Sequence, residues 1–267
     1  MAIEVFNRYE KKYLLTEEMY YWLLERIGDF MEADRFNKDG QLYNIVNIYY
    51  DTPDDALIRA SIEKPVYKEK LRLRSYGVPG LNDKVFLEIK KKYKGLVNKR
   101  RTALRLFEAY DLIKYGIDPG NQPYINRQVL EEIRYFLSVY DLAPKVYLTY
   151  DRQAFFSKSD HDFRITFDTN IRTRRTEVGL EKGNQGELLI GNDFRLMEVK
   201  SSEAVPAWFT KLLSEKEIFS ISFSKYGTEY KHTIQNQDSS RKEGEVICSR
   251  QYLKQQVLYQ PKMHSLA

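Results

Sequence analysis

Residues 68–76 read K-E-K-L-R-L-R-S-Y, an alternation that predicts a β-strand with two unlike faces. Leu71 and Leu73 share one face and are expected to pack on a hydrophobic core. The other face carries a row of cations and one aromatic ring, namely Lys68, Lys70, Arg72, Arg74 and Tyr76. Like charges about 7 Å apart repel unless water or an anion separates them. The strand is therefore either a solvated outer strand or part of an anion site.

Similar alternation recurs along the chain. It predicts further strands at residues 3–15, 43–51, 84–92, 97–106, 145–155, 162–171 and 195–201. An acid followed two residues later by lysine appears three times, as Glu10/Lys12, Glu88/Lys90 and Glu198/Lys200. Residues at this spacing share one face of a strand. Nearly every predicted strand therefore has a charged face.

Apolar residues at helical spacing predict helices between these strands. One is expected over residues 17–27 with Thr16 as its N-cap, one over 126–140, and one that begins at Pro206 and ends near residue 216. Residues beyond 231 are polar and are expected to form a C-terminal tail or accessory segment, 232–267, behind a domain that spans residues 4–231.

The charge is unevenly distributed. The net charge of the whole chain is +5, but residues 64–105 hold 14 Lys or Arg against 3 Asp or Glu. That block is +11, so the remainder is −6. A block this basic predicts a polyanionic partner such as a nucleic acid, a membrane surface or a phosphorylated ligand.

Several classes of protein are disfavoured. The single Cys248 excludes an internal disulfide and a cysteine-based zinc cluster, and the three histidines lack metal-ligand spacing. The sequence contains neither a visible signal peptide nor an apolar run of 18 or more residues. We therefore expect a cytoplasmic location.

Charged faces from distant segments suggest one shared surface. In an open sheet, such a surface would simply be solvated. A closed antiparallel barrel instead turns the apolar faces outward beneath helices and the charged faces inward to line a lumen. The expected architecture is therefore α+β, a closed antiparallel β-barrel with helices packed on the outside and a positive lumen able to hold a phosphate-rich ligand.

The order of these short motifs resembles the VTC domain, the catalytic domain of the polyphosphate polymerase of the vacuolar transporter chaperone complex. This family is one of the triphosphate tunnel metalloenzymes. The motifs are R-x-E-x-K at residues 8–12, K-L-R-L-R-x-Y at 70–76, E-I-K at 88–90, K-R-R at 99–101, Y-x-R at 150–152, F-R-I-T at 163–166, E-V-K at 198–200 and S-K-Y at 224–226. The resemblance implies an eight-stranded tunnel.

The resemblance also implies an activity: transfer of the γ-phosphoryl group of ATP to a growing polyphosphate chain, with Mn²⁺ or Mg²⁺ as cofactor. The implied catalytic residues are Lys12, Arg72, Arg74, Lys90, Arg152, Arg164, Lys200 and Lys225. The implied substrate-binding residues are Arg8, Lys70, Lys99, Arg101, Tyr150 and Ser224. Metal ligation is assigned to Glu198, with Glu10 and Glu88 as further candidates that could equally be ion-pair partners of lysines. Asp168 is a further possible metal ligand but is expected instead to pair with Arg164.

One departure from the family pattern matters. Tunnel enzymes that hydrolyse triphosphates begin with Glu-x-Glu-x-Lys, whereas here Arg8 replaces the first acid. That change favours holding a long polyanion over activating water. The alternatives are a metal-dependent tripolyphosphatase or nucleoside triphosphatase, and a non-catalytic polyphosphate-binding module. No nucleic-acid partner is expected, because no RNP-type or OB-type signature is present. A separate membrane-protein partner would place the domain at the inner face of a membrane.

Overall fold

The computed structural model of the chain describes residues 9–94, 96–160 and 162–241. Arg8, from the first predicted motif, lies outside these ranges, as does most of the predicted C-terminal segment. The described chain is an α+β structure built on one antiparallel sheet with helices beside it.

Ten strands form the sheet. They are β1 (Tyr9–Thr16), β2 (Met31–Ala33), β3 (Tyr43–Asp51), β4 (Tyr67–Tyr76), β5 (Lys84–Tyr93), β6 (Leu96–Arg105), β7 (Ala143–Ser157), β8 (Arg164–Arg174), β9 (Glu187–Leu188) and β10 (Phe194–Ser201). Eight of them form one continuous path in the order β1-β10-β8-β7-β3-β4-β5-β6, while β2 pairs with β7 and β9 pairs with β8. Each predicted strand therefore has a counterpart.

The predicted closure of the barrel is not seen. β1 and β6 stand at the two ends of the eight-strand path, and no ladder joins them within the described ranges. At the β1 edge, the N–H of Ile221 instead donates to the carbonyl of Lys12 over 2.7 Å, which makes an isolated bridge. A charged inner face does not dictate closure, because side chains can meet across a sheet that curls without joining its edges.

The helices are α1 (Glu17–Ile27), α2 (Ala56–Ile62), α3 (Leu106–Tyr115), α4 (Arg127–Val139), α5 (Ala207–Glu215) and α6 (Lys225–Arg241), with a 3-10 helix at Arg35–Gly40. Thr16 caps α1 as expected, since its side chain accepts from the N–H of Met19 over 3.3 Å. The sequence did not predict α6. The predicted division after residue 231 falls inside this helix. None of the helices in the described ranges combines the length and the apolar character needed to traverse a lipid bilayer.

Two hydrophobic cores lie on the outer face of the sheet. Leu71 and Leu73, both fully buried, belong to the first core, which contains Leu87 and Leu104 from the neighbouring strands and Ile133 from α4. The second core joins β1, β8 and β10 to α1 and α5 through Leu15, Phe167, Met197, Leu23 and Phe209. Helices therefore cover the apolar strand faces, and the charged faces are left to line the opposite side.

Candidate functional site on the inner face of the sheet

Charged side chains from distant strands meet on the inner face. The sheet curls far enough that Glu10 on β1 lies 3.9 Å from Lys90 on β5, although these strands are near opposite ends of the path. Strand alternation and the start of α6 bring ten of the predicted cations to this surface: Lys12, Lys70, Arg72, Arg74, Lys90, Lys99, Arg152, Arg164, Lys200 and Lys225. We call this surface the cationic face.

One group of ion pairs centres on Glu198. Arg152 forms a bidentate pair with Asp168 at 2.6 and 2.8 Å, and its Nη2 also lies 3.3 Å from Glu198. The Nζ of Lys225 lies 2.6 Å from Asp168 and 2.9 Å from Glu198. Lys12 and Lys200 approach Glu198 to 3.7 and 3.5 Å.

Both acids of this group are buried and stay charged. Burial alone raises the pKa of the Glu198 carboxyl, but Lys225, Lys12 and the other nearby cations outweigh it and hold that pKa well below its ordinary value. The pKa of Asp168 is likewise lowered, because Arg152 and Lys225 outweigh its burial. The two carboxylates keep four cations close together, namely Lys12, Arg152, Lys200 and Lys225, when no other anion is bound.

The predicted pairing of Asp168 with Arg164 is wrong. The two residues share a face of β8 but are four positions apart, which is about 13 Å along an extended strand. Arg152 instead lies directly across the ladder from Asp168. Arg164 donates through Nη2 to the hydroxyl of Tyr43 over 3.4 Å and lies 3.5 Å from Asp34.

A second group of ion pairs centres on Glu88. This acid is only 1% exposed, and it pairs with Arg72 across the β4–β5 ladder and with Lys99 at 3.0 Å. Arg72 also donates to the hydroxyl of Tyr49 over 3.2 Å. The cations hold the pKa of Glu88 well below its ordinary value despite the opposing effect of burial.

Arg74 lies between the two groups, and its charge helps to lower the pKa of Glu88. Its guanidinium donates to Asn47 over 2.9 Å and to the hydroxyl of Tyr150 over 3.0 Å. Tyr150, a predicted substrate-binding residue, is therefore on the cationic face, and the Nζ of Lys225 lies 4.6 Å from its ring centroid. Sequence reasoning missed Asn47 and Tyr49. Their signal was the alternation of residues 43–51, which places both on the inner face.

Two predicted substrate-binding residues contact other groups of the protein. Arg101 faces inward, directly across the ladder from Glu88, and its exposed guanidinium stacks 4.7 Å from the ring centroid of Phe86. Ser224 caps α6, since its Oγ accepts from the N–H of Gly227 over 3.2 Å. That hydroxyl is engaged by the helix end, so the Ser-Lys-Tyr motif marks the start of α6, whose first two residues are Lys225 and Tyr226.

Comparison with known proteins decides the family. The family model of the VTC domain matches residues 7–234, which span both groups of ion pairs and most of α6. The chain belongs to the VTC domain family. In this VTC domain, the short motifs correspond to strands, and to the start of α6, that meet on one surface.

Two curated relatives match this VTC domain. Vacuolar transporter chaperone complex subunit 4 of Trypanosoma brucei brucei is 26% identical over 227 residues, covering 71% of this chain and 29% of that protein. The subunit 4 of Trypanosoma cruzi is 24% identical over 271 residues, covering 84% of this chain and 34% of that protein. The chain thus spans about a third of the length of these relatives.

Solved structures bear on the fold alone. A protein of Bacillus halodurans, provisionally named as an adenylate cyclase, is 17% identical with a TM-score of 0.50, over 83% of this chain and 96% of that one. This likeness supports the α+β sheet architecture of the VTC domain.

Whether the acids of the VTC domain fit a divalent metal depends on their surroundings. Within the described ranges, no three Asp, Glu, His or Cys side chains form a group that could hold a metal ion by themselves. Mg²⁺ and similar ions are often held by one or two carboxylates together with substrate phosphates. Glu198 pairs with four cations and interacts electrostatically with Glu10, so these two acids fit that kind of incomplete site only where phosphate oxygens complete it.

The positive charge of Lys70 is poorly balanced by negative charge. Its Nζ lies 5.6 Å from the ring centroid of Tyr226, and among the described residues no carboxylate is within ion-pair distance of it. Burial lowers the pKa of Lys70 to about 7, helped by Lys90, Lys68 and Lys12 and opposed by Asp51. A bound polyanion would supply the missing negative charge.

We predict that affinity for tripolyphosphate falls about tenfold between pH 7 and pH 9. The pKa of Lys70 is about 7 in the free protein, and a bound anion raises it. Above pH 7, binding must therefore take up a proton, and affinity drops as pH rises. Isothermal titration at several pH values measures this slope. Lys70→Arg, which stays charged, should reduce it, while Lys99 and Lys200, whose pKa values burial lowers to about 8, supply the remaining slope.

Tripolyphosphate itself gains negative charge over the same range, which by itself strengthens binding. The difference between the unaltered protein and Lys70→Arg removes this effect of the ligand, and identical pH slopes in the two proteins would contradict a role for Lys70. Lys91→Arg serves as the matched control, because Lys91 lies on the opposite face of β5.

Proposed function

We propose that this VTC domain is a polyphosphate polymerase that transfers the γ-phosphoryl group of ATP to a growing polyphosphate chain. The observation that carries the proposal is the cationic face, which gathers ten cations and five carboxylates, with eight of the cations in ion pairs. Such a surface suits a substrate that is long, flexible and uniformly anionic. Membership of the VTC family supports the same activity.

Phosphoryl transfer needs positioning and charge neutralisation more than covalent chemistry from the protein. Guanidinium groups bind phosphate oxygens in bidentate fashion. We assign this role to the four arginines of the cationic face, Arg72, Arg74, Arg152 and Arg164. The lysines act as point charges along the chain: Lys12, Lys70, Lys90, Lys99, Lys200 and Lys225. Tyr150 donates its hydroxyl hydrogen to phosphate.

The bond changes are simple. A terminal phosphate oxygen of the acceptor chain attacks the γ-phosphorus of ATP, and the bond between that phosphorus and the β,γ-bridging oxygen breaks. ADP leaves with that oxygen, and the acceptor is one phosphate longer. No side chain has to act as the nucleophile. The cations disperse the charge that develops on the equatorial and leaving oxygens.

A divalent ion, Mn²⁺ or Mg²⁺, would be held by Glu198 and Glu10 together with phosphate oxygens of the nucleotide. When bound, it neutralises charge on the transferred group. Glu88, enclosed by Arg72 and Lys99, we assign to ion pairing instead. Glu88 therefore holds Arg72 and Lys99 in place and does not bind the metal.

The partner side of the proposal rests on the relatives, which are named as subunits of a complex. We propose that this VTC domain works beside a separate membrane protein that receives the polymer. Co-purification of the tagged chain from detergent-solubilised membranes, with mass spectrometry of the captured proteins, tests this arrangement. Recovery of the chain without any membrane protein would count against it.

Incubation of the purified protein with ATP and Mn²⁺, followed by a gel stained for polyphosphate, tests the activity. Long phosphate chains accompanied by stoichiometric ADP are the expected result. Free phosphate without chains would instead identify a triphosphatase. Binding of tripolyphosphate without turnover would identify a binding module.

A further inference from the structure

Aromatic rings line one end of the cationic face. Tyr76, at the end of β4, lies 6.1 Å from Tyr43 and 6.0 Å from Phe86 between ring centroids. Tyr43 in turn lies 6.2 Å from Phe36, which belongs to the 3-10 helix. We call these four residues the aromatic rim. They form an unbroken series of ring contacts across segments that are distant in sequence.

Guanidinium groups flank the aromatic rim. Arg101 stacks on Phe86 at 4.7 Å, and Arg164 donates to the hydroxyl of Tyr43 over 3.4 Å. Tyr43 also lies directly across the β3–β7 ladder from Arg152. The rim is therefore continuous with the groups that we assign to phosphate binding. Arginine planes stack on π-systems as aromatic rings do.

Packing alone does not account for this rim. Aromatic side chains stabilise a sheet chiefly when their apolar area is buried. Phe36 is 60% exposed and Tyr76 is 51% exposed, so large ring surfaces remain in contact with water. Exposed rings beside a basic surface are the arrangement that proteins use to stack nucleobases. A polyphosphate chain, which has no rings, gains nothing from them.

We propose that the aromatic rim stacks the nucleobase of the donor nucleotide. The inference rests on the proposed polymerase function and assigns the adenine ring of ATP to this end of the cationic face. Every base presents a π-face, so stacking of this kind holds the nucleotide without selecting one base sharply. Purines, with the larger ring area, are expected to bind better than pyrimidines.

This placement fixes the orientation of the nucleotide. β4 runs from Tyr67 to Tyr76, and Lys70, on its other half, faces Tyr226 near the start of α6. With the base at Tyr76, the phosphates extend past Arg164 and Arg152 toward Lys225. The acceptor chain then occupies the lysine-rich half of the surface.

Binding of ATP and of tripolyphosphate to the full chain tests the rim by isothermal titration. The variants are Tyr76→Ala and Phe36→Ala, which remove exposed rings. ATP affinity is expected to fall about tenfold in each, as for loss of one stacked base, while tripolyphosphate affinity stays within about twofold. Tyr76→Phe should restore ATP binding. Tyr67→Ala is the matched control, because Tyr67 is similarly exposed (46%) at the other end of β4.

Equal weakening of ATP and tripolyphosphate would overturn the proposal, because the rim would then act on phosphates or on folding. Unchanged ATP affinity in both alanine variants would overturn it too. If these variants still make polyphosphate with unaltered ATP affinity, the rim is excluded and the polymerase stands. A wild-type protein that binds neither compound removes the polymerase and the rim together.

Discussion

Lys225→Ala is expected to lower the rate of polyphosphate synthesis at least ~100-fold, as for loss of one preorganised charge donor. Lys225 is the first residue of α6, where the positive end of the helix dipole disfavours a cation. Asp168 and Glu198, at 2.6 and 2.9 Å, hold it there and raise its pKa above the ordinary lysine value despite burial. A phosphate that enters the site would meet a charge already in position.

The measurement is the steady-state rate of ADP release with ATP and Mn²⁺. Lys231→Ala on the same helix is the matched control, since that side chain is exposed. Lys225→Ala also removes a cation that pairs with the buried carboxylates of Asp168 and Glu198. Thermal melting must therefore show that the variant is folded at the assay temperature. A folded variant with an unchanged rate would remove Lys225 from the site.

Glu198→Gln is expected to abolish metal-dependent synthesis, again by at least ~100-fold, because it removes the acid that we assign to the metal. The substitution keeps the shape of the side chain but removes the charge shared by Lys12, Lys200, Lys225 and Arg152. These cations then repel one another and lose their common anchor.

A second measurement separates the two roles of Glu198. The metal-free affinity for tripolyphosphate should not fall in Glu198→Gln, because one negative charge fewer competes with the ligand. Glu203→Gln, in the exposed segment after β10, is the control. Full activity with Mn²⁺ in Glu198→Gln would move the metal ligand elsewhere. Loss of tripolyphosphate binding together with activity would make Glu198 a purely structural residue.

The strand faces could be predicted from sequence because their period is set by the backbone. Leu71 and Leu73 are buried under helices, and Lys70, Arg72 and Arg74 lie on the opposite face, as the alternation indicated. The convergence of remote cations was predicted because nearly every predicted strand has one charged face and one apolar face. A resemblance carried by motifs between residues 8 and 226 then indicated that these segments line one tunnel.

Other features depend on relations between strands, which the sequence of one strand does not contain. The partner of Asp168 is Arg152 rather than Arg164 because strand register, not spacing along β8, decides which residues touch. Helix α6 was missed because its apolar residues do not form a clear stripe and polar residues dominate its second half. Its anchor, the hydroxyl of Tyr226 donating to Asp51 over 2.9 Å, joins residues 175 positions apart.

The separation between β1 and β6 affects how the polyphosphate chain of the proposed reaction can enter and leave the cationic face. Within the part of the chain that the structure describes, β1 is linked to the other end of the path by the 3.9 Å ion pair between Glu10 and Lys90 and not by a ladder of backbone hydrogen bonds. A lone ion pair parts readily in salt water. Under the proposed function, the middle of a long polymer can therefore enter or leave sideways through this gap, so the polymer does not have to thread in by its end.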